Sequence, residues 1–157
     1  MCIRDRVGIT FLFAPRYHPA MRFAAPVRKS LGVRTVFNFL GPLCNPGRVR
    51  RQLLGVSDPA RIGDFASALT ELGAERAMVV HGAGGADELT LAGENHVSAI
   101  GVSGGALFDA RSLGLEEAGV EALAGGDAAR NLELLGGLLG GEPVSYTHLT
   151  LPTICSV

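Results

Sequence analysis

One stretch of the chain, residues 52–88, restricts the fold more than any other, because two short apolar runs flank a segment whose apolar residues have helical spacing. The apolar runs at residues 53–56 and 77–80 have the length of buried strands. Between them, Asp58 and Pro59 are a typical helix start and Gly73 a typical stop. The residues with helical spacing are Ile62, Phe65, Ala66, Leu69 and Leu72. The pattern predicts a strand, a helix and a strand, a unit whose two strands are parallel and whose crossover is right-handed.

The segment after the second predicted strand is the strongest chemical feature. It contains His81, the glycine-rich residues 82–85, and the adjacent carboxylates Asp87 and Glu88. Open parallel sheets bind ligands beyond the carboxyl ends of their strands. Two carboxylates there suit Mg²⁺, which takes one or two carboxylates together with substrate phosphates. From the residues alone, a solvated acidic pair that caps a turn remains the alternative, and anion binding by the glycine N–H groups is a weaker hypothesis.

A helix is also predicted upstream, from Pro19 to Leu31, with Gly32 as its stop. Two of its faces are apolar, and the pattern leaves open which one packs. One face carries Met21, Ala24, Ala25, Arg28 and Leu31, and the other carries Phe23, Val27 and Leu31. Arg28 therefore lies on a mostly apolar stripe, where its guanidinium either binds a carboxylate or phosphate or extends to solvent.

The boundaries of the remaining segments are predicted from their glycine and proline residues and from a helix cap. Residues 35–40 are apolar, and Gly41 with Pro42 begins the predicted loop after them. Glycines divide residues 89–108 into small predicted strands. Asp127 caps a last predicted helix, whose apolar positions are Leu132, Leu135 and Leu139.

Charge and cysteine content exclude several classes of protein. Lys and Arg total 14 against 15 Asp and Glu, so the chain lacks the positive charge expected of a nucleic-acid or anionic-membrane partner. No apolar run reaches the roughly 18 residues of a membrane helix. Three cysteines without C-x-x-C spacing indicate neither a disulfide framework nor a zinc site, and they favour a cytoplasmic location.

The two ends differ in character from the residues between them. Residues 1–6 and 144–157 lack a patterned apolar face and resemble translated adapter sequence. We therefore expect residues 7–143 to form one partial α/β domain, with residues 1–6 and 144–157 as non-native additions. The alternative for the ends is a native strand and tail.

Four segments carry a resemblance to a known family. They are FAPRYHPAM at residues 13–21, VRKSLGVRT at residues 27–35, FNFLGPLCNP at residues 37–46, and residues 80–82 leading to Asp87, Glu88 and Leu89. In their order and spacing, residues 7–143 resemble the carboxyl-terminal part of the anthranilate phosphoribosyltransferase family. The resemblance implies an α/β fold with a mostly parallel sheet flanked by helices, as a partial large domain of the anthranilate phosphoribosyltransferase and nucleoside phosphorylase type.

The same resemblance implies a reaction and a set of site residues. The family transfers the phosphoribosyl group of phosphoribosyl pyrophosphate to anthranilate in tryptophan biosynthesis, with Mg²⁺ as cofactor, usually as a homodimer. Asp87 and Glu88 would bind the metal, and Arg28 would bind the anthranilate carboxylate. The residues expected along the channel for the anthranilate ring are His18, Met21, Ala25 and Pro42. The family's GTGGD donor loop, its KHGN segment, its helical first domain and its final helices are not found, so we expect a fragment that is inactive alone.

Two alternative functions are also consistent with the sequence. A pyrimidine nucleoside phosphorylase shares the implied fold, although the segment from His18 to Arg28 and the loop at residues 40–43 favour the anthranilate family. A non-catalytic relative could instead use the scaffold to bind nucleic acid or a regulatory partner, and the near-neutral charge argues against nucleic acid.

Overall fold

The computed structural model describes residues 10, 12–33, 35–102 and 107–140. The chain divides into two compact units, Met1–Arg48 and Val49–Val157. The segments expected to be non-native, residues 1–6 and 144–157, lie outside the described residues.

Helices form the described part of the first unit. They are α1 (Ala14–Tyr17), α2 (Met21–Leu31) and α3 (Val36–Leu43). The predicted stop of α2 is confirmed, because Gly32 adopts a left-handed φ of 65° and its N–H donates to the carbonyl of Arg28 at 3.3 Å. Up to Arg48, none of the residues whose burial the structure describes is fully buried.

The two apolar faces of α2 differ in exposure. On the face that carries Arg28, Met21, Ala24 and Arg28 are half-buried and Ala25 is exposed. On the other face Phe23 is 70% exposed and Val27 is exposed, and Leu31, which both faces share, is exposed as well. The stripe that includes Arg28 is therefore the more covered one, which the sequence pattern left open.

Helix α3 corrects one expectation. Gly41 and Pro42 were expected in a loop, but the helix continues through them to Leu43. Proline lacks the N–H that a helix interior uses. Pro42 sits in the last turn, and the N–H of Cys44 closes that turn on the carbonyls of Leu40 at 3.1 Å and Gly41 at 3.2 Å.

The second unit is built on a four-stranded sheet with the strand order β1-β2-β3-β4. The strands are β1 (Arg51–Gly55), β2 (Arg76–His81), β3 (Asn95–Ile100) and β4 (Leu107–Phe108). Strands β1 and β2 are parallel, as predicted, with Leu53 beside Met78. The α/β class is thus confirmed.

The sheet is mixed rather than mostly parallel, which corrects the expected orientation of its other strands. Strand β3 pairs antiparallel with β2, and β4 pairs antiparallel with β3. A parallel neighbour needs a long crossover that is usually helical. Residues 82–94, between β2 and β3, contain no helix, so the chain returns antiparallel.

The crossover between β1 and β2 forms as predicted. The Asp58 carboxylate accepts a hydrogen bond from the N–H of Ala60 at 3.1 Å and caps a 3₁₀ turn that leads into α4 (Ile62–Glu71). Phe65 and Leu69 are the buried residues of α4, which packs on β2 and β3. Gly73, with φ of 82°, follows the helix and redirects the chain toward β2.

One cluster of the buried core includes residues on both sides of the predicted metal pair. It contains Val80, Leu89, Leu91, Val97 and Ala110, with Met78, Leu115 and Ala118 packed against it. The segments on either side of Asp87 and Glu88 are therefore fixed by buried side chains.

The last described helix is α5 (Ala128–Gly140). Asp127 caps it, as predicted, by accepting a hydrogen bond from the N–H of Arg130 at 2.9 Å. Leu132, Leu135 and Leu139 are exposed. No helix in the described ranges has the length and apolar character needed to cross a bilayer.

Candidate functional site

Asp87 and Glu88 lie at the carboxyl ends of the two parallel strands. Their main chain runs against the last residue of β1 and the first residue after β2. A Cβ atom built on Gly55 would overlap the Asp87 carbonyl oxygen, and one built on Gly82 would overlap the Glu88 carbonyl oxygen. The carboxylate pair is therefore at the edge of the sheet where parallel folds bind ligands.

A buried histidine joins the same strand ends. Nδ1 of His81 lies 2.8 Å from the carbonyl oxygen of Val56, and the N–H of Val56 donates to the carbonyl of Val80 at 2.9 Å. A carbonyl oxygen only accepts, so His81 carries a proton on Nδ1 and donates it. His81 is 9% exposed, which identifies it as a structural link between the strand ends, close to the site in sequence.

The glycine-rich segment closes on itself. The N–H of Gly82 donates to the carbonyl of Ala86 at 2.9 Å, and the N–H of Gly85 donates to the carbonyl of Gly82 at 3.2 Å. Two of the N–H groups that could have held an anion are thus used inside the turn. Val120 lies over Gly84, where a Cβ would approach its Cγ1 to 2.6 Å.

A buried amide fixes the chain after the carboxylates. Asn95 is fully buried, and its Oδ1 accepts from the N–H of Thr90 at 2.7 Å. Its Nδ2 donates to the carbonyls of Thr90 at 3.0 Å and Gly93 at 3.1 Å. The hydroxyl of Thr90 donates in turn to the carbonyl of Ala83 at 3.2 Å, so the two sides of the loop are held together.

The carboxylates themselves face solvent. Asp87 and Glu88 are both exposed, and within the described ranges neither takes part in an ion pair. The same part of the chain contains no group of three or more His, Cys, Asp or Glu side chains that could enclose a metal. Two hard oxygen ligands without a third protein ligand fit Mg²⁺, which keeps several waters and binds through substrate phosphates.

The residues predicted to bind the acceptor all lie in the first unit. Met21, Ala25 and Arg28 are placed on one side of α2 by their spacing of four and three residues. His18 precedes this helix, and its carbonyl accepts from the N–H of Met21 at 3.0 Å. His18 is half-buried, as are Met21 and Arg28, whereas Ala25 is exposed. Pro42 is exposed and lies on a different helix, α3.

Several residues of the site were not found from the sequence. Gly55 and Asn95 contact or brace the carboxylate segment, and Val120 covers its glycine turn. A glycine inside a strand is a signal of close backbone approach, so Gly55 could have been noticed. Asn95 and Val120 carry no comparable local signal, because their role depends on a partner in another segment.

The chain is similar in sequence to a known protein family and to several known enzymes. The model of the glycosyl transferase family, a/b domain, matches residues 2–155. An anthranilate phosphoribosyltransferase of Chloroflexus aggregans is 52% identical over 145 residues, which cover 90% of this chain and 42% of that protein. One from a Roseiflexus species is 51% identical over 146 residues, again 90% of this chain and 42% of that protein. The chain thus spans well under half the length of these relatives.

Solved structures show the same likeness. The anthranilate phosphoribosyltransferase of Saccharomyces cerevisiae in complex with 4-fluoroanthranilate matches with a TM-score of 0.75 and 30% identity, over 86% of this chain and 39% of that one. The same yeast enzyme in complex with PRPP and Mg matches with a TM-score of 0.71 and 31% identity, over 80% of this chain and 36% of that one.

Proposed function

Because this chain belongs to the glycosyl transferase family, a/b domain, we propose that it forms part of an anthranilate phosphoribosyltransferase. The reaction joins the phosphoribosyl group of phosphoribosyl pyrophosphate to the amino group of anthranilate and releases pyrophosphate. The observation that carries this proposal is the 52% identity over 145 residues to an enzyme of that name. Yeast structures with PRPP and Mg and with 4-fluoroanthranilate support the two substrates and the metal.

Asp87 and Glu88 serve the donor in this proposal. They would hold Mg²⁺, whose charge offsets the negative charge that builds up on the departing pyrophosphate. Their exposure leaves both carboxylates accessible to a metal that also contacts the donor's phosphates. The buried hydrogen bonds between Thr90 and Asn95 brace the loop behind them.

Arg28 serves the acceptor. Its guanidinium matches a carboxylate with two parallel N–H bonds, and among the described residues it has no ion-pair partner that would compete. Its half-buried position shields such a bond from water in part. His18, Met21, Ala25 and Pro42 would line the channel for the flat anthranilate ring.

We also propose that the complete enzyme is a homodimer and works in the cytoplasm, as the family resemblance implies. The pyrimidine nucleoside phosphorylase alternative is disfavoured because the relatives described above carry the name of the anthranilate enzyme. Sedimentation of the complete enzyme at micromolar concentration would test the dimer.

A chimera tests the activity. The 145 aligned residues of this chain would replace the matching segment of the Chloroflexus aggregans protein. With anthranilate, phosphoribosyl pyrophosphate and Mg²⁺, we expect stoichiometric formation of N-phosphoribosyl-anthranilate and pyrophosphate. The unaltered Chloroflexus protein is the control, and circular dichroism confirms folding. Phosphorolysis of a pyrimidine nucleoside, or a folded chimera with neither activity, would contradict the proposal.

A further inference from the structure

We propose that Gly55 and Gly82 are positioning residues for the carboxylate pair, holding the main chain of Asp87 and Glu88 against the ends of β1 and β2. The inference rests on the proposed function for its effect on catalysis. Its geometric part concerns this chain's own backbone and is testable separately.

Gly55 forms the first half of the support. The three atoms nearest to a Cβ built there all belong to the Asp87 backbone: the carbonyl oxygen, the carbonyl carbon and, at 3.3 Å, the Cα. Nonbonded carbon and oxygen atoms approach to about 3.3 Å, so any larger residue would displace this peptide group. A backbone peptide group cannot rotate away from a steric overlap as the end of a flexible side chain can.

Gly82 forms the second half. A Cβ at this position would overlap the Glu88 carbonyl oxygen and would lie 2.8 Å from Cγ2 of Thr90 and 3.2 Å from Oδ1 of Asn95. Thr90 and Asn95 belong to the buried hydrogen-bond network, so they cannot move without breaking it. A side chain at this position would therefore meet the Glu88 backbone and two side chains of the buried network.

The requirement for glycine at these two positions comes from space rather than from backbone conformation. Neither residue is among the described glycines with positive φ. Alanine could adopt both backbone conformations, and glycine loses more conformational freedom on folding than alanine does. What excludes a side chain is the close approach of the carboxylate segment.

The consequence for the proposed reaction is precise placement of charge. Successive peptide groups rest on the ends of two hydrogen-bonded strands, so the metal ligands are fixed relative to the sheet. Misplacement of reacting groups by about 1 Å can lower a rate by about 10²-fold. An added methyl group at either glycine displaces the segment without altering a carboxylate.

The kinetic test uses Gly55→Ala and Gly82→Ala in the chimera. We expect kcat/KM for phosphoribosyl pyrophosphate to fall by about 10²-fold and the Mg²⁺ concentration for half-maximal rate to rise, while the KM for anthranilate changes less than about twofold. Gly63→Ala is the matched control, because a Cβ there meets open space. If the two glycines had a purely structural role, the substitutions would impair the kinetics for the donor, for anthranilate and for Mg²⁺ together. Kinetics like those of Gly63→Ala would overturn the proposal.

A measurement on the full chain decides the geometry without activity. In nuclear magnetic resonance spectra, we expect contacts between the α-protons of Gly55 and protons of Asp87 or Glu88 in the unsubstituted protein. Gly55→Ala should shift the amide signals of residues 87 and 88, and Gly63→Ala should not. If the substituted proteins do not fold, the contacts in the unsubstituted chain decide alone, and their absence would overturn the proposal. An inactive chimera whose chain still shows them refutes the proposed function only.

Discussion

Asp87 and Glu88 are the residues whose replacement tests the proposed metal site directly. Asp87→Asn combined with Glu88→Gln in the chimera removes both charges with little change of shape. We expect kcat to fall by at least about 10²-fold, as on loss of other groups that stabilise developing charge, and activation by Mg²⁺ to disappear. Asp64→Asn with Glu71→Gln changes the net charge equally on the exposed surface of α4 and should leave kinetics unchanged. An unaltered response to Mg²⁺ titration would contradict the metal assignment.

Arg28 gives the corresponding test on the acceptor side. Hydrogen bonds to charged groups contribute about 1.5–3 kcal/mol, so Arg28→Ala should raise the KM for anthranilate by about 10- to 150-fold. The KM for the ribosyl donor should stay nearly constant. Arg22→Ala is the control on the same helix, since Arg22 is exposed and stacks on Phe23 at 4.7 Å. Equal changes in both KM values would indicate a folding role for Arg28.

Asn95 allows a prediction about stability. Asn95→Ala leaves the N–H and carbonyl of Thr90 buried without these partners, so the free energy of unfolding should fall by about 2–4 kcal/mol in urea titration. Asn131 makes the same pair of bonds with the N–H and carbonyl of Gly126, at 2.9 and 3.0 Å, but is exposed. Asn131→Ala should therefore cost less than about 1 kcal/mol. Similar losses in both variants would show that burial does not govern the decrease in the free energy of unfolding.

At the level of secondary structure elements, the 3₁₀ turn that leads into the crossover helix α4 depends on its cap, Asp58. Asp58→Ala removes the acceptor for the Ala60 N–H, and such losses cost about 1 kcal/mol. Asp58→Asn keeps the cap but removes the 3.9 Å ion pair with Arg61, which is exposed and contributes little. Thermal unfolding should show a lower Tm for the alanine variant and a nearly unchanged Tm for the asparagine variant. The reverse order would assign the stabilisation to the ion pair.

The elements differ in how well the sequence predicts them, for a physical reason. Helix α4 and its strands follow from local signals: Asp58 and Pro59 at the start, Gly73 at the end, and a regular apolar spacing between them. The direction of β3 has no local signal, because it depends on how residues 82–94 return. At the end of helix α3 the local signal and the structure differ: Gly41 and Pro42 favour a turn, whereas the helix continues to Leu43 and the N–H of Cys44 closes its last turn.

The site shows the same division. The place of the candidate carboxylates at the strand ends follows from the order of segments along the chain. The support under them does not, because Gly55 meets Asp87 only after β1 and β2 have paired. Likewise, the burial of Asn95 depends on Thr90 and Gly93 closing around it.

On the scale of the whole molecule, stability should be unevenly distributed between the two units. In the described part of Met1–Arg48 no residue is fully buried and the helices are short, and isolated helices below about 12–15 residues are marginal. The second unit holds a packed core on its sheet. Native-state hydrogen exchange of the full chain should find the slowest amides in β1, β2, β3 and α4, and faster exchange at residues 12–33. Equal protection in both units would contradict this distribution.

The strand order of the sheet also has a consequence for biosynthesis. Strands β1, β2, β3 and β4 lie in the order in which a ribosome makes them, so each pairs with the strand made just before it. A domain generally folds as a unit during synthesis, and the amino-terminal domain folds first. Gly55, Gly82 and both carboxylates precede Ile100, the last residue of β3. Once Ile100 has left the ribosome, the strands that border the carboxylate segment have all been synthesised. None of the described strands made later has to be inserted between these strands.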